Sequence, residues 1–165
     1  MKVDRVIVGQ LDTNCYILSI DSDVLIIDPG DEYEKIIDKV YGKNILGILI
    51  THSHFDHVGA LKYFNNTVYR YDNLSEKNYN IGKFSFDVIY TPGHTNDSIC
   101  FYFKDYNIMF TGDFIFKNGI GRTDLGGYYV DMKKSLNKIK SYDNDIKIYP
   151  GHGDSSTLGE EKRRF

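Results

Sequence analysis

The sequence predicts an α+β fold in which two β-sheets pack face to face, with helices on the outside. Predicted strands alternate with helices in some stretches and follow one another directly in others. A second observation is that several strands end in a short loop bearing a potential ligand: Asp28, His52, His94, Asp113 and His152. We therefore expect one domain over residues 1–165, with a functional site along the rim where these strands end.

The first half of the chain combines apolar strands with amphipathic helices. Runs of strand length predict strands at Val3–Val8, Asn14–Ile20, Val24–Ile27 and Ile45–Ile50. Glu32–Tyr41 is predicted to be a helix because Ile36 and Val40 fall on one face, and Gly42 is placed to end it. A second helix is predicted at Val58–Asn66.

The second half is richer in strands. Apolar or alternating segments predict strands at Thr67–Tyr71, Phe84–Tyr90, Ile99–Phe103, Ile108–Phe110 and Ile146–Tyr149. Asp72–Asn80 is polar and rich in turn residues, and Asn118–Gly127 is a glycine-rich loop. Val130–Ser141 predicts a helix with Met132 and Leu136 facing inward.

Composition limits the classes of partner. The net charge is −3 and no basic stripe is present, so a nucleic-acid partner is not expected. No segment approaches the roughly 20 apolar residues that would span a membrane, and the N-terminal stretch is too polar for a signal peptide. We expect a cytoplasmic monomer or small homo-oligomer that acts on a small-molecule substrate. The two cysteines, Cys15 and Cys100, lie among apolar residues and are expected to be free, buried thiols.

The segment Thr51–Val58 (THSHFDHV) is the strongest functional signal in the chain. It places His52, His54, Asp56 and His57 within six residues, between an apolar strand and a predicted helix. Imidazole and carboxylate groups are typical ligands of borderline transition metals. One such loop can serve two ions, although its four side chains cannot saturate both.

The remaining histidines extend this pattern. A lone histidine is usually a surface or core residue, and His94 or His152 alone would carry no functional weight. Each follows a strand and a Pro-Gly turn, however, and all five histidines of the chain fall in these strand-end loops. Beside the His52–His57 segment, both become candidate metal ligands.

These residues, His52-x-His54-x-Asp56-His57 with His94, Asp113 and His152, resemble the metal-binding signature of the metallo-β-lactamase superfamily. Several segments resemble its glyoxalase II-like hydrolases in order along the chain: TNCYIL, IDPG, THSHFDHVGA, TPGHT, TGDFIF, IGRTD, YPGHG and GEEKR. The resemblance implies an αββα four-layer sandwich with the metal site at one edge of the two sheets. It also implies that His52, His54 and His94 hold the first metal, that Asp56, His57 and His152 hold the second, and that Asp113 bridges them.

The bridging aspartate indicates the subgroup. By resemblance, Asp113 in the TGD segment argues against β-lactam hydrolysis and for the glyoxalase-like branch. The sequence ends at Phe165 without the helical extension that helps full-length glyoxalase II hold glutathione, as in shorter single-domain members. The expected reaction is hydrolysis of a thioester such as S-D-lactoylglutathione. The nucleophile would be a metal-bridging hydroxide held by Asp113 and two divalent ions, with zinc expected and iron or manganese as alternatives.

The sequence alone leaves two interpretations for each of three features: the number of metal ions, Arg122 and Asp28. The chain resembles persulfide dioxygenase-like oxidoreductases in its GRTD segment, and these use a single iron; the complete second ligand set favours two metals. Arg122 either binds a substrate carboxylate or pairs with Asp124 or Asp131 to fix its loop. Asp28 either orients a ligand histidine or serves only its Asp-Pro-Gly turn.

Overall fold

A computed structural model describes the whole chain from Met1 to Phe165 and contains two β-sheets. The first sheet has five strands: β1 Lys2–Val8, β2 Thr13–Ile20, β3 Asp23–Ile27, β4 Asn44–Leu49 and β5 Val68–Tyr69. They lie side by side in chain order. The pairs β1–β2 and β2–β3 are antiparallel, whereas β3–β4 and β4–β5 are parallel.

The second sheet has six strands and carries a small ribbon beside it. In chain order the strands and ribbon are β6 Asn78–Ile81, β7 Phe84–Tyr90, β8 Ile99–Phe103, β9 Ile108–Gly112, β10 Ile115–Phe116, β11 Gly119–Ile120, β12 Lys147–Pro150 and β13 Ser156–Thr157. The sheet order is β13-β12-β9-β8-β7-β6, and β10 pairs with β11 alone. Only β9 and β12 are parallel neighbours.

Four α-helices and three short 3₁₀ turns complete the fold. They are α1 Tyr33–Lys39, α2 Phe55–Val58, α3 Tyr129–Ile139 and α4 Leu158–Lys162, with 3₁₀ turns at Leu61–Tyr63, Tyr71–Asn73 and Lys104–Tyr106. Helix α1 packs on the outer face of the first sheet, and α3 packs on the outer face of the second. The layers run helix, sheet, sheet, helix, which confirms the predicted sandwich. None of the helices has the length and apolar character needed to cross a membrane.

Strand β2 shows how the sequence forms these layers. Successive side chains of a strand point to opposite faces of its sheet. Tyr16 and Leu18 face the second sheet and pack with Phe101, whereas Cys15 and Ile17 lie on the other face, in the cluster that includes α1. Fully burying an aromatic or aliphatic side chain contributes about 1.5–3 kcal/mol, so both faces of this strand stabilise the fold, and its sequence is a mostly apolar run.

Two predicted segments differ from the structure. The helix predicted at Val58–Asn66 is wrong, because α2 already ends at Val58 and only a 3₁₀ turn follows. The amide of Ala60 donates to the carbonyl of Pro29 instead of continuing the helical ladder. The polar segment Asp72–Asn80 runs into the edge strand β6, in which only Tyr79 and Ile81 pack against the core, so its apolar pattern is too short to predict a strand.

Candidate metal centre

The carboxyl ends of β3, β4, β7, β9 and β12 meet along one rim of the sandwich. Backbone hydrogen bonds join the two sheets there. The amide of Ile99 donates to the carbonyl of Thr51 at 2.9 Å. The amide of Asn14 donates to the carbonyl of Gly151 at 2.7 Å. Loops that are far apart in the sequence are thereby held at one place.

All seven residues that the sequence indicates as metal ligands come together at this rim. Their nitrogen and oxygen atoms form three groups, each with its atoms within 4.8 Å of one another: His52, His54 and His94; Asp56, His57 and His152; and His52, His57 and Asp113. The first two groups match the two ligand sets that the resemblance implies. The third contains Asp113 together with one histidine from each set.

Asp113 lies between the two ligand sets. Its Oδ1 is 3.3 Å from His57 Nε2, and its Oδ2 is 3.5 Å from both His94 Nε2 and His152 Nε2. One carboxylate therefore faces members of both groups with its two oxygens. This is the position that a bridging ligand requires; the bridging role itself stays a prediction.

Each histidine ring uses its outward nitrogen to bind the protein. The acceptors are Thr51 Oγ1 for His52, the Leu125 carbonyl for His54, Asp28 Oδ2 for His57, the Arg122 carbonyl for His94 and the Leu11 carbonyl for His152, at 2.7–3.1 Å. Such contacts fix the tautomer and the orientation of a ligand histidine. The other nitrogen of every ring is left facing the centre.

Asp28, which is not itself a proposed ligand, links the two ligand sets through hydrogen bonds. Its carboxylate accepts hydrogen bonds from His57 Nδ1 at 2.9 Å, from the Thr51 amide at 2.8 Å and from the Thr51 hydroxyl at 2.6 Å. Because that hydroxyl donates to Asp28, it accepts from His52 Nδ1. Asp28 thus orients His57 directly and His52 through Thr51, in addition to its place in the turn.

The unsatisfied atoms of the centre test whether it fits a metal. His52 Nε2, His57 Nε2 and Asp113 Oδ1 are buried and none makes a well-directed hydrogen bond, although the last two atoms lie 3.3 Å apart; this is costly for polar atoms. His54 Nδ1 and His94 Nε2 lie 3.0 Å apart, although the other nitrogen of each ring already donates to a carbonyl. In neutral rings these are two lone pairs facing each other. Imidazole nitrogens and carboxylate oxygens that converge with their lone pairs unused are suitable ligands for divalent transition-metal ions.

The electrostatics of the cluster agree with that donor set. Burial lowers the pKa of His52 and keeps its ring neutral. Burial alone would lower the pKa of His57 and His152, but neighbouring carboxylates outweigh it and raise these values to about 10 and about 9. The same contacts hold the pKa of Asp56 and Asp113 well below the usual range, against the opposing effect of burial. At His57 and His152 a metal ion would compete with protons.

Gly151 leaves room for two of these side chains. A Cβ atom at this position would lie 2.2 Å from Asp113 Oδ1 and 2.6 Å from His57 Cε1. Any other residue would push the aspartate or the histidine out of place. The turn before His152 therefore needs glycine for space.

A pocket of about 660 Å³ opens over the centre. Ligand residues form its floor, and its walls include Leu11, Phe55, Phe116 and Leu125. Arg122 also lines the pocket, where its guanidinium binds both oxygens of Asp124 at 2.6–2.7 Å. The predicted ion pair is thus present, and contact of Arg122 with substrate stays a prediction.

Besides the Thr51 hydroxyl, sequence reasoning missed three contributors to the site. The Thr13 hydroxyl donates to Asp56 Oδ2 at 2.9 Å, and Leu11 and Leu125 supply the carbonyls that hold His152 and His54. Every residue type has a backbone carbonyl, so nothing in the sequence distinguishes the two leucines. The TNCYIL segment, which begins with Thr13, was the only available signal.

Comparison with known proteins places this site in a family. Residues 8–68 and 72–152 match the metallo-beta-lactamase superfamily. The chain is 33% identical to probable metallo-hydrolase YqgX of Bacillus subtilis, with 98% of this chain and 95% of that protein covered. It is 30% identical to hydroxyacylglutathione hydrolase GloC of Haemophilus influenzae, with coverage of 99% and 96%.

Two crystal structures show the same similarity in three dimensions. BLEG-1, described as a B3 metallo-beta-lactamase, superposes with a TM-score of 0.92 at 30% identity, with coverage of 98% of this chain and 97% of that one. TTHA1623 in a di-iron-bound form gives a TM-score of 0.89 at 31% identity, with 98% of each chain covered. Fold, site geometry and similarity agree over nearly the whole chain, which therefore belongs to the metallo-β-lactamase superfamily of metal-dependent hydrolases.

Proposed function

We propose that this protein hydrolyses thioesters, such as S-D-lactoylglutathione or a related compound, with two divalent metal ions, preferably zinc. The observation that carries the proposal is the pair of three-residue ligand groups with Asp113 between them. His52, His54 and His94 would hold one ion, and Asp56, His57 and His152 the other. When bound, the ions would supply an activated water and positive charge for the oxyanion that forms on the substrate carbonyl.

The side chains of the centre suit this chemistry. Among the seven proposed ligands only Asp56 and Asp113 are negatively charged, so two divalent ions would be half neutralised. Positive charge then remains near the position of the substrate carbonyl. The contacts behind the histidines keep the rings in place, which avoids reorganisation during the reaction.

The leaving group distinguishes thioesters from amides. All five histidines belong to the ligand groups, and the pocket wall offers no tyrosine or lysine. No obvious side chain is therefore available to protonate an amine as it leaves. A thiolate, whose conjugate thiol has a pKa of about 8.5, leaves without that help. The similarity to a hydroxyacylglutathione hydrolase supports the same choice.

Hydrolysis of β-lactams is a second candidate function. It is favoured by the similarity to BLEG-1, which is described as a B3 metallo-beta-lactamase. The position of Asp113 between the ligand groups, which by resemblance is typical of the glyoxalase-like branch, favours the thioester. A β-lactam belongs in the same substrate panel for this reason.

Metal stoichiometry tests the proposal and separates it from a single-iron oxidoreductase. Purified protein should bind two equivalents of zinc, iron or manganese and release thiol from S-D-lactoylglutathione, and a chelator should abolish this activity. His152→Ala should lower the metal content towards one equivalent, because it removes a residue of the second group alone. Arg163→Ala, at an exposed residue outside the pocket, is the control.

Two other results would point to a different function. One tightly bound iron per chain, with oxygen consumption on a persulfide and no thiol release from thioesters, would reject the hydrolase. Cleavage of the β-lactam nitrocefin without cleavage of any thioester would favour the second candidate. The cytoplasmic location and the small-molecule partner stay predictions from the sequence.

A further inference from the structure

We propose that the pocket over the metal centre selects uncharged, apolar thioesters and disfavours anionic carriers such as glutathione. This inference rests on the proposed thioester hydrolysis and specifies its substrate class. It follows from three features of the pocket: the nature of its walls, the way the backbone fixes them, and the distribution of charge around its mouth.

The pocket walls present large apolar side chains to solvent. Leu11 is 53% exposed, Phe55 74% and Leu125 48%, and the partly buried Phe116 lies beside the His152 ring. Exposed apolar groups gathered around a polar floor are typical of a ligand site, because a bound ligand removes their surface from water. An apolar substrate portion would gain the most from this burial.

These walls are attached to the proposed metal ligands through the backbone. The Leu11 carbonyl accepts from His152, and the Leu125 carbonyl accepts from His54. Phe55 stands in the chain directly between His54 and Asp56. The hydrogen bonds that orient His54 and His152 therefore also hold the backbone of Leu125 and Leu11 beside the centre. A wall fixed before binding loses little entropy when a ligand arrives.

Charge around the mouth does not favour an anionic carrier. Arg122 is the only cationic side chain lining the pocket, and Asp124 binds its guanidinium through both oxygens. The adjoining groove, which shares Leu11 and Phe55 with the pocket, adds Asp31 and no cation. Glutathione carries a carboxylate at each end and, away from the metal centre itself, would meet no cationic side chain other than Arg122, which Asp124 already binds. Recognition of a carboxylate ordinarily uses a free arginine or lysine.

The test varies the carrier thiol and keeps the acyl group constant. D-Lactoyl thioesters of glutathione, N-acetylcysteamine and phenylmethanethiol are compared on the metal-loaded full chain. We expect kcat/KM to be at least tenfold higher for the phenylmethanethiol ester than for the glutathione ester, with the neutral polar N-acetylcysteamine ester between them.

Binding is measured separately from turnover. Thioether analogues of the glutathione and phenylmethanethiol esters, with a methylene in place of the carbonyl, resist hydrolysis and give dissociation constants by calorimetry. The phenylmethyl analogue should bind at least tenfold more tightly. Measuring both the metal-loaded and the metal-free chain shows whether the preference comes from the pocket walls.

A charged wall should reverse the preference. Phe55→Lys places a cation at the mouth and should raise kcat/KM for the glutathione ester at least threefold while lowering it for the phenylmethanethiol ester. Tyr41→Lys, at a 91% exposed aromatic residue outside the pocket, is the matched control and should change neither. A variant that merely folds poorly cannot gain activity on one substrate.

The outcomes separate this inference from the function on which it rests. A wild-type preference for the glutathione ester, or equal binding of the two analogues, overturns the inference and leaves thioester hydrolysis intact. If no thioester is cleaved but the phenylmethyl analogue binds more tightly, the hydrolase proposal fails and the selectivity of the pocket stands.

Discussion

Replacing Asp28 by asparagine should weaken the two metal sites unequally. Asp28 accepts directly from His57, which belongs to the group with Asp56 and His152, but reaches His52 only through Thr51. Asparagine has nearly the same shape and tolerates the left-handed backbone at this position, where φ is 52°. The change therefore removes the negative charge of Oδ2, the atom that accepts from both His57 and the Thr51 hydroxyl, with little effect on the chain path.

The size of the effect follows from the contacts that are lost. A hydrogen bond to a charged group contributes about 1.5–3 kcal/mol, and Asp28 is only 2% exposed, so water cannot replace the lost acceptor. Loss of a partner behind a metal-ligating histidine typically costs about 10–100-fold in metal affinity, which corresponds to roughly 1.4–2.7 kcal/mol. The two values agree. We expect a loss of this size at the site of His57 and a smaller loss at the site of His52, which Asp28 reaches only through Thr51.

Stepwise competition with a chromophoric zinc chelator measures the two affinities. The wild-type chain, Asp28→Asn and Asp38→Asn are titrated in parallel. Asp38 is an exposed carboxylate on α1 and serves as the matched control. Asp28→Asn should show one strongly weakened and one nearly unchanged equivalent, whereas Asp38→Asn should match the wild type.

Equal weakening of both equivalents, or affinities within twofold of the wild type, would refute this reasoning. The first result would mean that the Thr51 relay is as strong as the direct contact. The second would mean that Asp28 serves only its turn.

Three further predictions test other parts of the centre. Asp113→Ala should lower the occupancy of both sites, because its oxygens face His57, His94 and His152; full metal content and rate in this variant would disprove the bridging role. Gly151→Ala should weaken metal binding by roughly tenfold or more by displacing Asp113, while Gly119→Ala, with open space around its Cβ, should bind normally. Without metal, the raised pKa values of His57 and His152 stabilise the fold fully below pH 6.5, and this contribution is lost as the pH rises towards 9–10. The unfolding midpoint in chelator should fall across that range, and a flat or rising midpoint would contradict the assignment.

The layered fold could be predicted from the sequence because buried elements leave a pattern of apolar residues. Thr13–Ile20 is buried on both faces of the first sheet and is therefore a mostly apolar run of strand length, and Met132 and Leu136, four residues apart, mark the inner face of α3. Strand β6 and the break after Val58 could not be predicted in this way, since β6 alternates Tyr79 and Ile81 with asparagines over only four residues. The first is an edge strand, and the second depends on a hydrogen bond to Pro29, which is distant in the sequence.

The sequence by itself determined the residue types of the centre and their order along the chain. Histidine and aspartate at this spacing are rare outside metal sites, so His52–His57 and the strand-end positions of His94, Asp113 and His152 could be identified as candidates. Only the tertiary structure decided which ring nitrogen faces the centre, that Asp28 serves both ligand groups, and that apolar walls and a paired Arg122 surround the pocket. The physical reason is that these features depend on backbone carbonyls and on contacts between distant segments, which no local pattern of side chains encodes.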